Sequence, residues 1–231
     1  MVMTEPVTEP SFLTDTRAGY DAIAADYIEN FRGEFESKAL GLAMLGAFAA
    51  YVRADGGGRV LDVGSGPGWV TAHLAGLGLE VSGVDLSPEM VARARREHPG
   101  VRFEEGSMTA LDVADGVLGG VSAWYSLIHI APEAVPGVLA EFYRVLAPGG
   151  RLLLGFQVGE EPSRYAEAFG HRVSLVFHRL LPGRVAGQLR AAGFDVEARL
   201  EREAVLGEVT PQAYLLARKP GGPAGPGESA S

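Results

Sequence analysis

Apolar positions along this chain follow two different periods. From Thr16 to Phe31 and again from Ser37 to Arg53 they recur at helical spacing among many alanines, until Asp55-Gly56-Gly57-Gly58 breaks the pattern. Beyond the breaker, strands are expected at about 59–63, 80–84, 101–105, 119–124, 150–155, 194–200 and 212–218, with helices between most of them. This alternation predicts an α/β domain with a doubly wound, mostly parallel, seven-stranded sheet preceded by two N-terminal helices. Only a short loop around Gly207 to Pro211 joins the last two strands, so the final one is expected to be antiparallel. The expected organisation is a flexible arm at 1–15, one domain at 16–219 and a disordered Gly/Pro/Ala/Ser tail at 220–231. Within the domain, 16–55 form a helical lid.

The most informative segment is Arg59-Val60-Leu61-Asp62-Val63-Gly64-Ser65-Gly66-Pro67-Gly68, an apolar strand that runs into a glycine-rich turn and then a helix. Glycine tolerates positive φ and close approach of a ligand to the backbone, and the free amides that open the helix supply donors. Pro67 suits the first helical turn. A second strand, Leu79 to Val84, ends at Asp85, where a carboxylate faces the ribose of a bound nucleoside. The dinucleotide fingerprint G-x-G-x-x-G fails at Trp69, which stands where Gly or Ala is needed for close packing. Trp69 and the lack of a catalytic Tyr-x-x-x-Lys argue against a nicotinamide-dependent oxidoreductase.

With Val84-Asp85-Leu86-Ser87, this segment resembles the first motifs of class I S-adenosylmethionine-dependent methyltransferases of the small-molecule type. Three further stretches match in order: Glu105 to Leu111, Ala123 to His129, and Glu141 to Gly150 leading into Arg151 to Phe156. The resemblance covers roughly 17–217. It implies a Rossmann-like sheet with an antiparallel last strand, the cofactor S-adenosylmethionine, the product S-adenosylhomocysteine and a methyl acceptor at O, N or C of a small organic molecule. A methyltransferase-fold protein that binds the cofactor without transferring its methyl, as a binding partner or a pericyclase-like catalyst, is the alternative from another class.

Composition narrows the partners. The 231 residues carry a net charge of −9, whereas nucleic-acid binders usually present a basic stripe, so nucleic acid is not expected. No Asn-Pro-Pro-Tyr or Asp-Pro-Pro-Tyr run follows the fourth strand. With no Cys and five scattered His, neither a disulfide nor a metal site is expected. No signal peptide or membrane span is visible, so the expected location is the cytoplasm, as a monomer or homodimer.

Ligands of open parallel sheets bind at the carboxyl ends of the strands. Gly64, Asp85, Gly106 and Tyr125 all stand just past such ends. The resemblance implies that Gly64, Ser65, Gly66 and Gly68 approach the methionine moiety and that Asp85 accepts from the ribose hydroxyls. Leu86 and Met90 would hold the adenine, Ser107 and Met108 would border it, and Tyr125 and Ser126 would lie near the sulfonium. Tyr20 and Tyr27, seven apart and so on one helix face, resemble lid aromatics, although the same spacing also suits a core. Asp62 reads as structural, bonding the amides of the turn. His129, following the fourth strand, is the candidate general base or acceptor contact. The long segment 156–181 is expected to cover the acceptor, with Tyr165 as a wall and His171 as a contact; a solvated helical hairpin is the bland alternative.

Overall fold

The computed structural model describes residues 9–205 and 207–221. Seven strands form one sheet in the order β3-β2-β1-β4-β5-β9-β8: β1 Val60–Val63, β2 Val81–Asp85, β3 Arg102–Glu105, β4 Leu118–Trp124, β5 Leu146–Gln157, β8 Asp195–Arg202 and β9 Gln212–Arg218. Strands β1 to β5 pair in parallel, while β9 is antiparallel to both β5 and β8. The expected Rossmann-like, doubly wound sheet with one antiparallel last strand is therefore the observed fold.

Alternation along the central strands sends side chains to two cores. On one face, Leu61, Val121, Leu152, Leu154 and Leu215 pack with α5 (Val135–Val145) and α6 (Pro182–Ala191). On the other, Val60, Leu153 and Leu216 pack with α2 (Ala39–Ala54) and α3 (Trp69–Gly76). The helix α4 (Pro88–Glu97) lies over Phe103 of β3. It starts at the N-cap Ser87, whose hydroxyl accepts from Met90 N at 3.1 Å, with Pro88 in its first turn.

Two departures from the sequence reading bear on function. The first helix, α1 (Ser11–Ser37), starts within the stretch expected to be a flexible arm and runs past Phe31, meeting α2 at a 75° bend. Pro10 stops it from starting earlier. The arm's residues 1–8 and the tail's residues 222–231 lie outside the described residues. Second, the 156–181 segment is no helical hairpin: β6 (Ser163–Ala168) and β7 (His171–Phe177) form an antiparallel two-stranded sheet separate from the main one.

This hairpin and α1 hold each other over the carboxyl edge of the main sheet. Leu175 of β7 is buried against Gly19, where an added Cβ would stand 2.6 Å from a Leu175 methyl. The hydroxyl of Ser174 donates to Asp15 at 3.2 Å. The other side of α1 is tied to the β2–α4 loop, where Asp21 accepts from Ser87 Oγ at 2.5 Å and Arg17 Nε donates to Leu86 O at 3.3 Å. No single helix among the described residues is long and apolar enough to cross a membrane.

Candidate active site

Each sheet strand ends where its side chains leave the core, and the ends of β1, β2 and β4 face one cavity of about 740 Å³. That volume falls in the range of about 300–1,000 Å³ usual for small-molecule sites. The turn after β1 forms its floor. Gly64 has φ +71 and an added Cβ would lie 2.2 Å from Ser126 Cβ, so the turn admits only glycine there. Ser126 Oγ donates to Val63 O at 2.6 Å and locks the end of β4 to the end of β1.

Asp85 is half-buried at the end of β2 and lines the cavity. Its carboxylate accepts from Gly66 N at 2.7 Å and Ser87 N at 2.9 Å, which leaves about two of its roughly four acceptor positions unused. Burial pushes its pKa up, against the two amides that pull it down. Gly64, Ser65, Gly66, Leu86, Met90, Gly106, Ser107, Met108, Tyr125 and Ser126 join it on the cavity wall, as do Tyr20 and Tyr27 from α1. Tyr125 adopts φ +54, a conformation that side chains with a Cβ rarely take, and its hydroxyl lies 3.2 Å from that of Tyr214.

Two expected residues lie elsewhere. Gly68 does not line the cavity: it caps α3 with φ +88, and an added Cβ would strike the Phe103 ring at 2.6 Å. Its role is to let the β1–α3 turn sit on β3. His171 also stands off the cavity, exposed, with Nε2 3.0 Å from Asp26 Oδ2 of α1. Asp62 corrects a third expectation. It accepts from Thr71 Oγ1 at 2.7 Å and Ser122 Oγ at 2.6 Å rather than from the turn amides, and burial raises its pKa to about 6. Its alternation with Leu61 and Val63 points it toward α3, away from the turn.

His129 ends a short 3-10 turn, Leu127–His129, beyond β4. Its Nδ1 donates to Val176 O at 3.1 Å, which leaves the lone pair on Nε2 to accept from the Tyr20 hydroxyl at 2.9 Å. Burial lowers its pKa to about 4, so it is neutral at physiological pH. Burial also holds Tyr20 protonated by raising its pKa well above the phenolic range. The imidazole therefore does not meet the cavity as a free base; the phenol of Tyr20 stands on its lone pair.

Around this pair runs an aromatic wall. Tyr165 and Phe177 have ring centroids 5.3 Å apart, Phe177 and His129 4.7 Å, His129 and Tyr20 5.2 Å, Tyr20 and Tyr27 5.8 Å, and Tyr27 stacks on Trp69 at 6.1 Å. Sequence reading found Tyr20, Tyr27, His129 and Tyr165 but used Trp69 only to argue against a dinucleotide, and it missed Phe177. The visible signal for Trp69 was a bulky aromatic one residue after the last glycine of the turn. At the bend between α1 and α2, Lys38 is paired with Glu34 and, at 2.9 Å, with Glu208. Glu208 in turn takes both arms of Arg202 at 2.5 and 2.7 Å. Lys38 and Glu34 are an i,i+4 pair and Arg202 lies six residues from Glu208, but the Lys38–Glu208 link has no sequence-local signature because it joins distant elements.

Comparison with known proteins agrees with the geometry. Residues 60–150 match a family model described as a methyltransferase domain. A demethylmenaquinone methyltransferase of Beutenbergia cavernae is 42% identical over 98 residues, which are 42% of this chain and 40% of that protein. The chain thus spans about two fifths of the length of such curated relatives. Among solved structures, DhpI in complex with SAH superposes with a TM-score of 0.72 at 23% identity, covering 92% of this chain and 99% of that one. The [4+2]-cyclase SpnF superposes at 0.61 with 22% identity over 78% of this chain and 81% of its own. Residues 60–150 thus match a methyltransferase domain, and the 3-2-1-4-5-9-8 sheet with its glycine turn facing an acid at the end of β2 gives the chain the fold of class I S-adenosylmethionine-dependent methyltransferases.

Proposed function

We propose that this protein binds S-adenosylmethionine at the ends of β1, β2 and β3 and moves its methyl group to O, N or C of a small organic acceptor held under α1 and the β6–β7 hairpin. The observation that carries this reading is the single cavity running from the Gly64–Gly66 turn and Asp85 to Tyr165 and Phe177 of the hairpin. The donor set fits the cofactor. Asp85 keeps acceptor positions for two ribose hydroxyls, and Gly66, with nothing within 4 Å of an added Cβ, opens its backbone to the cavity. Ser65 Oγ and Trp69 Nε1 are buried without a hydrogen-bond partner among the described residues, and both residues line the cavity. An orphaned buried donor costs about 1–3 kcal/mol, which a bound polar ligand removes.

The sulfonium of the cofactor supplies an already activated methyl group. The protein's task is therefore alignment and exclusion of water, for which positioning alone can contribute roughly 7–11 kcal/mol. The aromatic wall supplies flat apolar surface for the acceptor. When the acceptor is a hydroxyl, its proton passes to Tyr20 Oη as the Tyr20 proton moves to His129 Nε2, a relay that needs no charged group at rest.

That SpnF, a [4+2]-cyclase, shares this fold motivates the competing reading, in which this chain binds the cofactor and transfers no methyl. Two measurements separate the readings. Calorimetry on ligand-stripped protein is expected to show micromolar binding of S-adenosylhomocysteine and none of NAD; NAD binding alone would overturn the assignment. With acceptors screened against methyl-labelled S-adenosylmethionine, label in a small-molecule product supports transfer, and its absence across a broad panel supports binding alone.

A further inference from the structure

Two cationic side chains line the cavity, Lys38 and Arg179. Lys38 is neutralised by Glu34 and Glu208. Arg179 has no carboxylate within ion-pair distance among the described residues: its Nη2 donates to Ser163 Oγ at 2.9 Å, and its Nε is buried with no partner. The cavity's four carboxylates are all engaged elsewhere, Glu34 and Glu208 in ion pairs, Asp62 with two hydroxyls and Asp85 with two amides. A guanidinium facing a mostly apolar cavity without a counter-charge is a vacancy for an anion.

A second orphan lines the same cavity. Thr210 Oγ1 is buried and unpartnered, and Thr210 also lines the cavity. Both residues are anchored to the carboxyl end of β5, through Leu180 N to Gln157 O at 2.9 Å and Val158 N to Pro211 O at 2.8 Å. The sheet order puts β5 on the opposite side of β4 from β1 and β2, so this subsite lies away from Asp85 and beyond the His129–Phe177 contact.

We propose that the acceptor is a carboxylic acid with an apolar or aromatic body, its carboxylate anchored by Arg179 and Thr210 while the atom that receives the methyl group lies on the Tyr20 side. One guanidinium neutralises one charge, which fits a carboxylate better than a phosphate dianion. The inference rests on the methyltransferase reading and names the class of its acceptor.

The test is calorimetry on protein loaded with S-adenosylhomocysteine, titrated with 4-hydroxybenzoate, 3-(4-hydroxyphenyl)propanoate and octanoate and with their carboxamides. The expected result is at least one acid binding about tenfold or more tighter than its amide, as a charge-assisted pair predicts. Arg179→Gln removes that preference while S-adenosylhomocysteine affinity stays within about twofold, and Arg179→Lys restores part of it. No acid preference anywhere in the panel, or a preference that survives Arg179→Gln, would overturn the proposal. So would a tenfold loss of S-adenosylhomocysteine binding in Arg179→Gln, because the anion would then be the cofactor's own carboxylate. If the parent protein fails to bind S-adenosylhomocysteine at all, the methyltransferase reading fails first and takes this inference with it.

Discussion

The Tyr20 hydroxyl and His129 Nε2 meet at 2.9 Å across 109 residues of sequence, and this bond fixes the protonation of both groups. The lone pair of the imidazole is occupied, its other nitrogen is tied to Val176 O, and both side chains are neutral between pH 5 and 9 on the shifts that burial imposes. Tyr20→Phe is expected to leave S-adenosylhomocysteine affinity within about threefold while lowering turnover of a hydroxyl acceptor by about tenfold to ten-thousandfold, the span of general-base effects. Unchanged turnover would reduce the pair to scaffold.

One acid and one base, Asp62 and His129, oppose each other in the pH dependence of stability. His129 has its folded pKa lowered to about 4, so its contribution is present above its unfolded value of about 6.5 and is lost as pH falls toward 4. Asp62 has its folded pKa raised to about 6, so its contribution is present below about 3.8 and is lost as pH rises through 6. The two slopes offset in the same window. Relative to the parent, Asp62→Asn should therefore gain stability from pH 4 to 6, and His129→Gln should lose it from pH 4 to 6.5, each on the order of 1–3 kcal/mol. Melting temperatures at half-unit steps of pH would show parallel curves if either group is not buried as described.

Asp85→Ala removes both the proposed ribose acceptor and the partner of Gly66 N and Ser87 N. Charge-assisted bonds of roughly 1.5–3 kcal/mol each translate into a loss of S-adenosylhomocysteine affinity of about tenfold to a thousandfold. A loss below about threefold in calorimetry would separate Asp85 from the ribose.

Gly64→Ala meets two obstacles, the φ of +71 and the 2.2 Å approach to Ser126 Cβ. Together they should cost at least about 2 kcal/mol. Ser126→Gly in the same chain removes the collision but not the backbone strain, so denaturant unfolding should show partial rescue. Full stability of the single variant would mean the turn has another conformation.

Glu208 joins the α1–α2 bend to β8 through Lys38 and Arg202. Burial raises its pKa, but the two cations outweigh this and hold it at about 2. The stabilisation is thus present above about 4.5 and lost as pH falls toward 2. Glu208→Gln strands Arg202 and leaves Lys38 to Glu34 alone, and should cost about 3 kcal/mol at pH 7, with the penalty shrinking as the pH approaches 2. Thermal melts at pH 7 and pH 3 would decide it.

The sheet was legible in the sequence because its central strands carry apolar runs bounded by glycines or charges, with the edge strands Arg102–Glu105 and Asp195–Arg202 set by the helix–strand alternation, and the ligand edge followed from where those strands end. The hairpin was not legible. Ser163–Ala168 is exposed along most of its length and holds Arg164, Tyr165 and Glu167, so no period-2 pattern of burial marks it as a strand. Within the site, positions fixed by strand ends, such as Gly64 and Asp85, were found. Gly68 and His171 were misplaced, since the facing of a turn glycine and of a hairpin tip depends on Phe103 and Asp26, which are distant in sequence. Arg179 and Thr210 matter through what they lack, which no local pattern records.

The seam between Gly19 and Leu175 also bears on how the molecule assembles. The helix that roofs the cavity packs against a strand some 150 residues later in the chain, a loop whose closure must be compensated by contacts made elsewhere. Such a long closure costs more entropy than pairing neighbouring strands, so hydrogen exchange is expected to find the amides of the roof opening before those of the central sheet.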